Sequence, residues 1–283
     1  MAISRVGIHW NSTKRKGADV ACRLAHMLME RGVELCVNDE LSTAMDTSNM
    51  YVNTFEDCDL LIVLGGDGTI LSALDHAMPY NIPILGVNLG RLGFLTEIET
   101  SELNDDLIKR VLARDYTLDI RPTLCIEGLD AERYFALNDI VITRATPAVR
   151  IMSIEYEADG SLIDSISGDG LIVATATGST AYSLSAGGPI VLPGLECFVL
   201  TPICPHKLNA RPVVISSDHR ITVRILDDRG GAQAVLDGRR VISMTGESRQ
   251  ITIRRSGKQA RFVRLKDHSY FSLLHNKLSE WTH

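Results

Sequence analysis

Residues 60–64, Leu-Leu-Ile-Val-Leu, are an uninterrupted apolar run that stops at Gly65-Gly66-Asp67-Gly68-Thr69. A strand with one wet face alternates apolar and polar residues. A run without alternation is buried on both faces, as in a parallel sheet covered by helices. The glycines at 65, 66 and 68 let the backbone turn sharply and let another molecule lie against it. Exposed N–H groups of such a turn, opening into a helix, form an anion site. Asp67 in the middle of that site is out of place for a bare phosphate cradle. It makes sense if the carboxylate handles a hydroxyl proton or a metal ion beside the phosphate; the plainer alternative is a tight turn capped by Asp.

The neighbouring segments fit an open, mostly parallel, Rossmann-like sheet with ligands at the carboxyl ends of its strands. Residues 5–9 read as a first strand. Ala21, Leu24, Ala25 and Leu28 recur at helical spacing within 18–31, with Gly32 placed to end that helix. Further strands are expected at 33–37 and 82–87, and helices at 69–77 and 102–113. The polar stretch 38–54 has no clear period and is expected to be a loop or flap near the ligand. Lys14, Arg15 and Lys16 form a basic loop that either touches phosphate or is simply solvated.

After Asp115 the texture changes to Val, Ile, Thr and Tyr in short runs. Strands are expected at 116–127, 133–144, 150–158, 162–167, 171–175, 213–226, 232–236 and 250–255, with hairpin corners at Gly128-Leu129-Asp130 and Asp159-Gly160. The expected organisation is an α/β domain over 1–115, a β-rich domain over 116–265, and a tail over 266–283 that is helical and packs back on the first domain. With 283 residues, 45% of them apolar, the chain has material for such cores. A formal net charge of −6 argues against a generic nucleic-acid binder. The six cysteines are scattered without a C-x-x-C pair, as expected of reduced thiols in a cytoplasmic protein. Residues 1–10 do not read as a signal peptide, and no uncharged apolar stretch reaches the ~18 residues of a membrane span.

Two further stretches suggest chemistry. Asn138-Asp139 interrupts the apolar run 135–142; on a strand two adjacent residues point to opposite faces, so one of them meets something buried or bound. A carboxylate beside an amide suits sugar hydroxyls, while a strand-end turn is the alternative. The third stretch is Gly168-Asp169-Gly170, an apolar strand, then Ala-Thr-Gly-Ser-Thr-Ala-Tyr-Ser-Leu-Ser-Ala-Gly-Gly-Pro at 176–189. Small residues let a flat ring approach and hydroxyls supply adaptable hydrogen bonds. The segment from Thr177 reads as a turn opening a short helix, with Ser179 or Thr180 as N-cap.

Taken together, Gly-Gly-Asp-Gly-Thr at 65–69, Asn-Leu-Gly-Arg-Leu-Gly-Phe-Leu at 88–95, Leu-Asn-Asp at 137–139, and Gly-Asp-Gly with the 177–189 segment resemble the bacterial NAD kinase family nearly end to end. The resemblance implies an α/β N-terminal domain, a β-rich NAD-binding domain, and homodimers or homotetramers. It implies Asp67 as the catalytic proton acceptor, also in contact with NAD beside Gly68, and Asn138, Asp139 and Arg150 as dinucleotide contacts. It places Asp169 at the nicotinamide end, reached from a neighbouring subunit, and Thr180, Ala181, Tyr182 and Ser185 at adenine and ribose. The backbone of Gly65, Gly66, Gly68 and Thr69 would face the phosphate donor, ATP or polyphosphate. Mg²⁺ would bridge the phosphates, its protein ligands left open. Ala176 stands where the family more often has Pro, and Asp139 where it more often has Glu. The implied reaction moves a terminal phosphoryl group to the 2′-hydroxyl of the adenosine ribose of NAD. The rivals are a lipid or sugar kinase sharing only the 65–68 turn, and a dinucleotide-binding regulator without turnover.

Overall fold

The computed structural model describes residues 3–10, 17–44, 51–52, 54–90, 93–131, 133–145, 151–227, 231–244, 249–266 and 270–280. Lys14, Arg15, Lys16, Arg91, Leu92 and Arg150 lie outside the described residues. The chain forms two compact units, residues 1–120 with 260–283, and residues 121–259.

The first unit begins with β1 (Arg5–Trp10), α1 (Gly17–Met29), β2 (Glu34–Val37), α2 (Asp39–Ala44) and β3 (Tyr51–Val52). It continues with β4 (Leu60–Leu64), α3 (Asp67–Ala77), β5 (Ile84–Asn88), β6 (Ile98–Glu99), α4 (Asp105–Leu112) and the start of β7 (Thr117–Ile126). Its strands pair in parallel in the order β3-β2-β1-β4-β5, with β6 on β5. All five residues of β4 are buried, as the unbroken apolar run requires. Leu60, Ile62 and Leu64 belong to one core with Ala21, Leu24, Ala25 and Leu28 of α1. Each fully buried Leu or Ile contributes about 1.5–3 kcal/mol, so this stripe sets the register of helix on sheet. Gly32, at φ +73°, ends the turn after α1.

The second unit contains β8 (Phe135–Ala136), β9 (Asp139–Arg144), β10 (Met152–Ala158), β11 (Ser161–Gly168), β12 (Gly170–Thr175) and α5 (Tyr182–Ser185). After these come β13 (Cys197–Ile203), β14 (Val213–Ser216), β15 (Ile221–Asp227), β16 (Ala232–Leu236), β17 (Arg240–Met244) and β18 (Gln250–Arg264). One antiparallel sheet runs β14-β13-β12-β9-β16-β17; a second places β10 between β11 and β15, with β15 on the first residues of β18. Ile140, Ile142, Leu171, Val173 and Phe198 of the first sheet share a core with Ile154, Tyr156, Val223 and Ile225 of the second. Residues 260–264 of β18 return to the first unit, where Phe262 pairs with Ile84, and α6 (Tyr270–Glu280) follows. The fold is therefore the expected α/β half with a parallel sheet and an antiparallel β-rich half.

Local departures have local causes. The polar stretch 38–54 is not all loop: Asn38 O accepts the N–H groups of Leu41 and Ser42 at the start of α2, and β3 extends the parallel sheet beside β2. The strand expected over 133–144 breaks into β8 and β9 with a bend at Leu137-Asn138, so Asn138 and Asp139 are not consecutive residues of one strand. The run 213–226 is likewise two strands separated by a turn. β18 is far longer than the expected 250–255, and β13 and β17 joined without having been expected.

Candidate functional site

In the α/β unit, Gly66 is the N-cap of α3, and Asp67 is its first residue. The N–H of Gly65 donates to Val87 O at 2.9 Å, which ties the turn to β5. The N–H groups of Thr69 and Ile70 fold back onto Gly66 O. The first N–H groups of a helix have no acceptor one turn back, which makes such a start suited to an anion. Gly65 is required sterically: a Cβ there would lie 2.3 Å from Thr69 Oγ1. Around Gly68 the space is open.

Asp67 does not cap its own helix. Its Oδ2 accepts the N–H of Phe94 at 2.9 Å and its Oδ1 that of Leu95 at 3.0 Å. A Cβ on Gly93 would come within 1.9 Å of Asp67 Oδ1, which explains the glycine in the Leu-Gly-Phe-Leu segment. The same segment is braced by Gly93 N–H on Thr96 Oγ1 at 2.9 Å, and Asn88 Oδ1 accepts Gly90 N–H at 3.2 Å. Each carboxylate oxygen can accept more than one hydrogen bond, so Asp67 is held in orientation with acceptor capacity to spare.

In the β-rich unit, Asn138 sits in the bend before β9 and Asp139 is the first residue of that strand. Thr175 Oγ1 donates to Leu137 O at 2.6 Å and accepts Gly178 N–H at 3.1 Å. A Cβ on Gly178 would lie 2.0 Å from Asn138 O, so only glycine permits the 177–180 turn to sit against the Asn138 backbone. The bend and the hydroxyl-rich turn are thus one local structure.

The hydroxyls of that turn divide into two sets. Ser179 Oγ donates to Ala176 O and accepts Val191 N–H, and Ser183 Oγ pairs with Thr201 Oγ1 at 2.8 Å. Both are buried and structural. Neither Ser179 nor Thr180 caps α5; the N-cap is Ala181, without a side-chain bond. Thr180 is buried and its hydroxyl reaches Thr177 O at 3.4 Å, while Tyr182 and Ser185 are exposed and Ala181 is half-buried. Asp169 lies between β11 and β12 and is ion-paired to Arg144 at 2.8 Å.

Asp237 was absent from the expected residues. Its carboxylate accepts N–H groups from Leu137 at 2.8 Å, Asn138 at 2.8 Å and Asp139 at 3.1 Å. In sequence it is half of an Asp-Gly hairpin signal, and nothing there announces a partner about a hundred positions away. Burial first, then the charge of Asp237, pushes the Asp139 carboxyl up to about 7. Burial also raises Asp237, opposed by those three N–H groups and by Arg239.

Comparison with known proteins gives this geometry a lineage. The ATP-NAD kinase N-terminal domain model matches residues 6–116, and the ATP-NAD kinase C-terminal domain model matches residues 137–265. The chain belongs to the NAD kinase family. It is 39% identical to the NAD kinase of Heliobacterium modesticaldum over 97% of this chain and 98% of that one. It is 40% identical to the NAD kinase of Geotalea daltonii over 92% of each. Among solved structures, an NAD kinase from Archaeoglobus fulgidus in complex with ATP superposes with a TM-score of 0.76 at 31% identity, covering 97% of this chain and 98% of that one. Yeast NADH kinase shares the fold, with a TM-score of 0.85 at 24% identity, covering 99% of this chain and 88% of that one. The NAD kinase models take in both the Gly65–Thr69 turn and the Asn138–Asp139 and 177–185 segments, which a lipid or sugar kinase sharing only the turn would not match.

Proposed function

We propose that this NAD kinase moves the terminal phosphoryl group of ATP or polyphosphate to the 2′-hydroxyl of the adenosine ribose of NAD, forming NADP. The observation that carries the reading is Asp67: a carboxylate held by two backbone N–H groups, with acceptor capacity to spare, in the first turn of a helix that begins at a glycine-rich turn. Phosphoryl transfer depends chiefly on positioning and charge neutralisation, and both elements are present there.

In this reading Asp67 accepts or orients the hydroxyl proton. Gly65, Gly66, Gly68 and Thr69 present backbone to the donor phosphates. Asn138, Asp139, Thr180, Ala181, Tyr182 and Ser185 bind the dinucleotide, with Arg150 as a further contact. The ATP named with the Archaeoglobus relative favours a nucleoside triphosphate donor. Among the described residues no three His, Cys, Asp or Glu side chains form a metal cage. Mg²⁺ keeps several waters and binds mainly through substrate phosphates plus one or two carboxylates. When bound it would neutralise phosphate charge. We place the enzyme in the cytoplasm as a homodimer or homotetramer, with Asp169 serving the dinucleotide of a neighbouring subunit.

The test is NADP formation by the purified protein with Mg²⁺ and each donor in turn. Asp67→Asn should retain NAD binding and lose ~10²–10⁴ in turnover, the usual worth of a positioned base. No NADP from either donor overturns the function, and near-normal turnover in the variant overturns the role of Asp67. A monomer with full turnover in sedimentation removes the shared role of Asp169.

A further inference from the structure

The turn between β16 and β17 is a three-residue hairpin loop, 237–239, with Asp237 at φ +48° and Gly238 at φ +65°. Asp-Gly suits such a turn because both residues tolerate positive φ. Here the side chain folds inward onto the start of β9. It takes three consecutive N–H groups, while the N–H of Asp237 itself donates to Asp139 O at 3.0 Å. Asp139, only 5% exposed, gives its N–H to this carboxylate, whose charge bears on the Asp139 carboxyl. Two buried carboxyl groups side by side do not both ionise readily. Three N–H donors and Arg239 oppose the burial that raises Asp237, whereas burial and the charge of Asp237 both raise Asp139.

We propose that Asp237 is a positioning residue for dinucleotide binding: it fixes the backbone of Asn138 and Asp139 and sets which form of the Asp139 carboxyl meets the dinucleotide. This rests on the reading of Asn138 and Asp139 as dinucleotide contacts. A neutral Asp139 offers an O–H donor and a carbonyl acceptor, and it does not repel a ligand that carries a diphosphate. The charged groups bearing on the pair are Asp237 on Asp139, and Arg239, from the same hairpin, on Asp237.

The experiment is the pH dependence of NAD affinity, measured with NAD alone from mildly acid to mildly alkaline pH. In the unaltered protein, affinity should fall with rising pH through neutrality, approaching tenfold per pH unit once the acid form is the minor one. Asp237→Asn keeps a residue at ease at positive φ and removes the charge, so the fall should begin about one pH unit lower. In Asp139→Asn the fall should vanish, whatever the absolute affinity. Melting temperatures recorded alongside identify a variant that does not fold. A uniform loss of affinity in Asp237→Asn with an unmoved midpoint, or a fall that persists in Asp139→Asn, overturns the proposal. An unaltered protein that binds no NAD at any pH refutes the dinucleotide reading itself.

Discussion

Gly65 and Gly68 are three positions apart and do different work. Gly65 has no room for a methyl group beside Thr69, whereas a Cβ on Gly68, in the first turn of α3, would meet nothing within 4 Å. Gly68→Ala should therefore fold at least as well as the parent, gaining about 0.4–1 kcal/mol by restricting the unfolded chain. If a donor phosphate lies against that backbone, the same methyl group should raise the donor KM. Thermal unfolding together with donor-dependent kinetics checks both; a lowered melting temperature or unchanged kinetics contradicts this account. Asp139 gives a pH prediction of its own. Its folded-state value, about 7, lies above the ordinary 3.8, so the stability it contributes is fully present below the lower value and is lost as pH rises through the upper one. The loss amounts to a few kcal/mol at most, since a tenfold change in proton affinity is worth about 1.4 kcal/mol. Asp139→Asn should thus gain melting temperature relative to the parent as pH rises from acid to neutral, and a constant difference between the two would speak against it.

Among elements, the C-terminal end of β18 is tied down by Glu97, whose position just before β6 carries no sequence signal. Its carboxylate is buried, accepts the N–H groups of Leu265 at 2.8 Å and Lys266 at 3.1 Å, and pairs with Arg264 at 3.2 Å; Arg264 also reaches Asp119 at 2.9 Å. Glu97→Ala takes this acceptor from the N–H groups of Leu265 and Lys266 and leaves the half-buried Arg264 cation with Asp119. Breaking a fully buried pair costs about 3–5 kcal/mol, so with one partner half-buried the loss should approach but not exceed that, which urea unfolding would report; a loss under about 1 kcal/mol would mean that the latch is incidental. Element identity was legible wherever one face or both faces of an element had to be dry: the run at 60–64, the stripe of α1, the alternation of β10. The bend at Leu137-Asn138 was not, because it depends on Asp237 and Thr175 holding that backbone from distant strands.

At the scale of the whole molecule, the chain leaves its first unit within β7 and re-enters it within β18. The first unit therefore needs both ends of the chain. Phe262 and Val263 are fully buried in it, and Phe262 pairs with Ile84. A chain stopped after Gln259 should fail to form the parallel-sheet unit, seen as rapid proteolysis of residues 1–120; protection equal to that of the full chain would refute the dependence. The sequence by itself determined the two textures, parallel α/β and antiparallel β, and the segments that carry the site, because apolar periodicity and glycine spacing are local and each glycine motif serves one backbone geometry. The tertiary structure alone decided that Asp67 turns to Phe94 and Leu95, that Ser179 and Ser183 are structural while Tyr182 and Ser185 stay exposed, and that Asp237 governs Asn138 and Asp139. Those outcomes depend on which donors and acceptors packing brings within about 3 Å of one another, and hydrogen bonds of that reach leave no period in the chain.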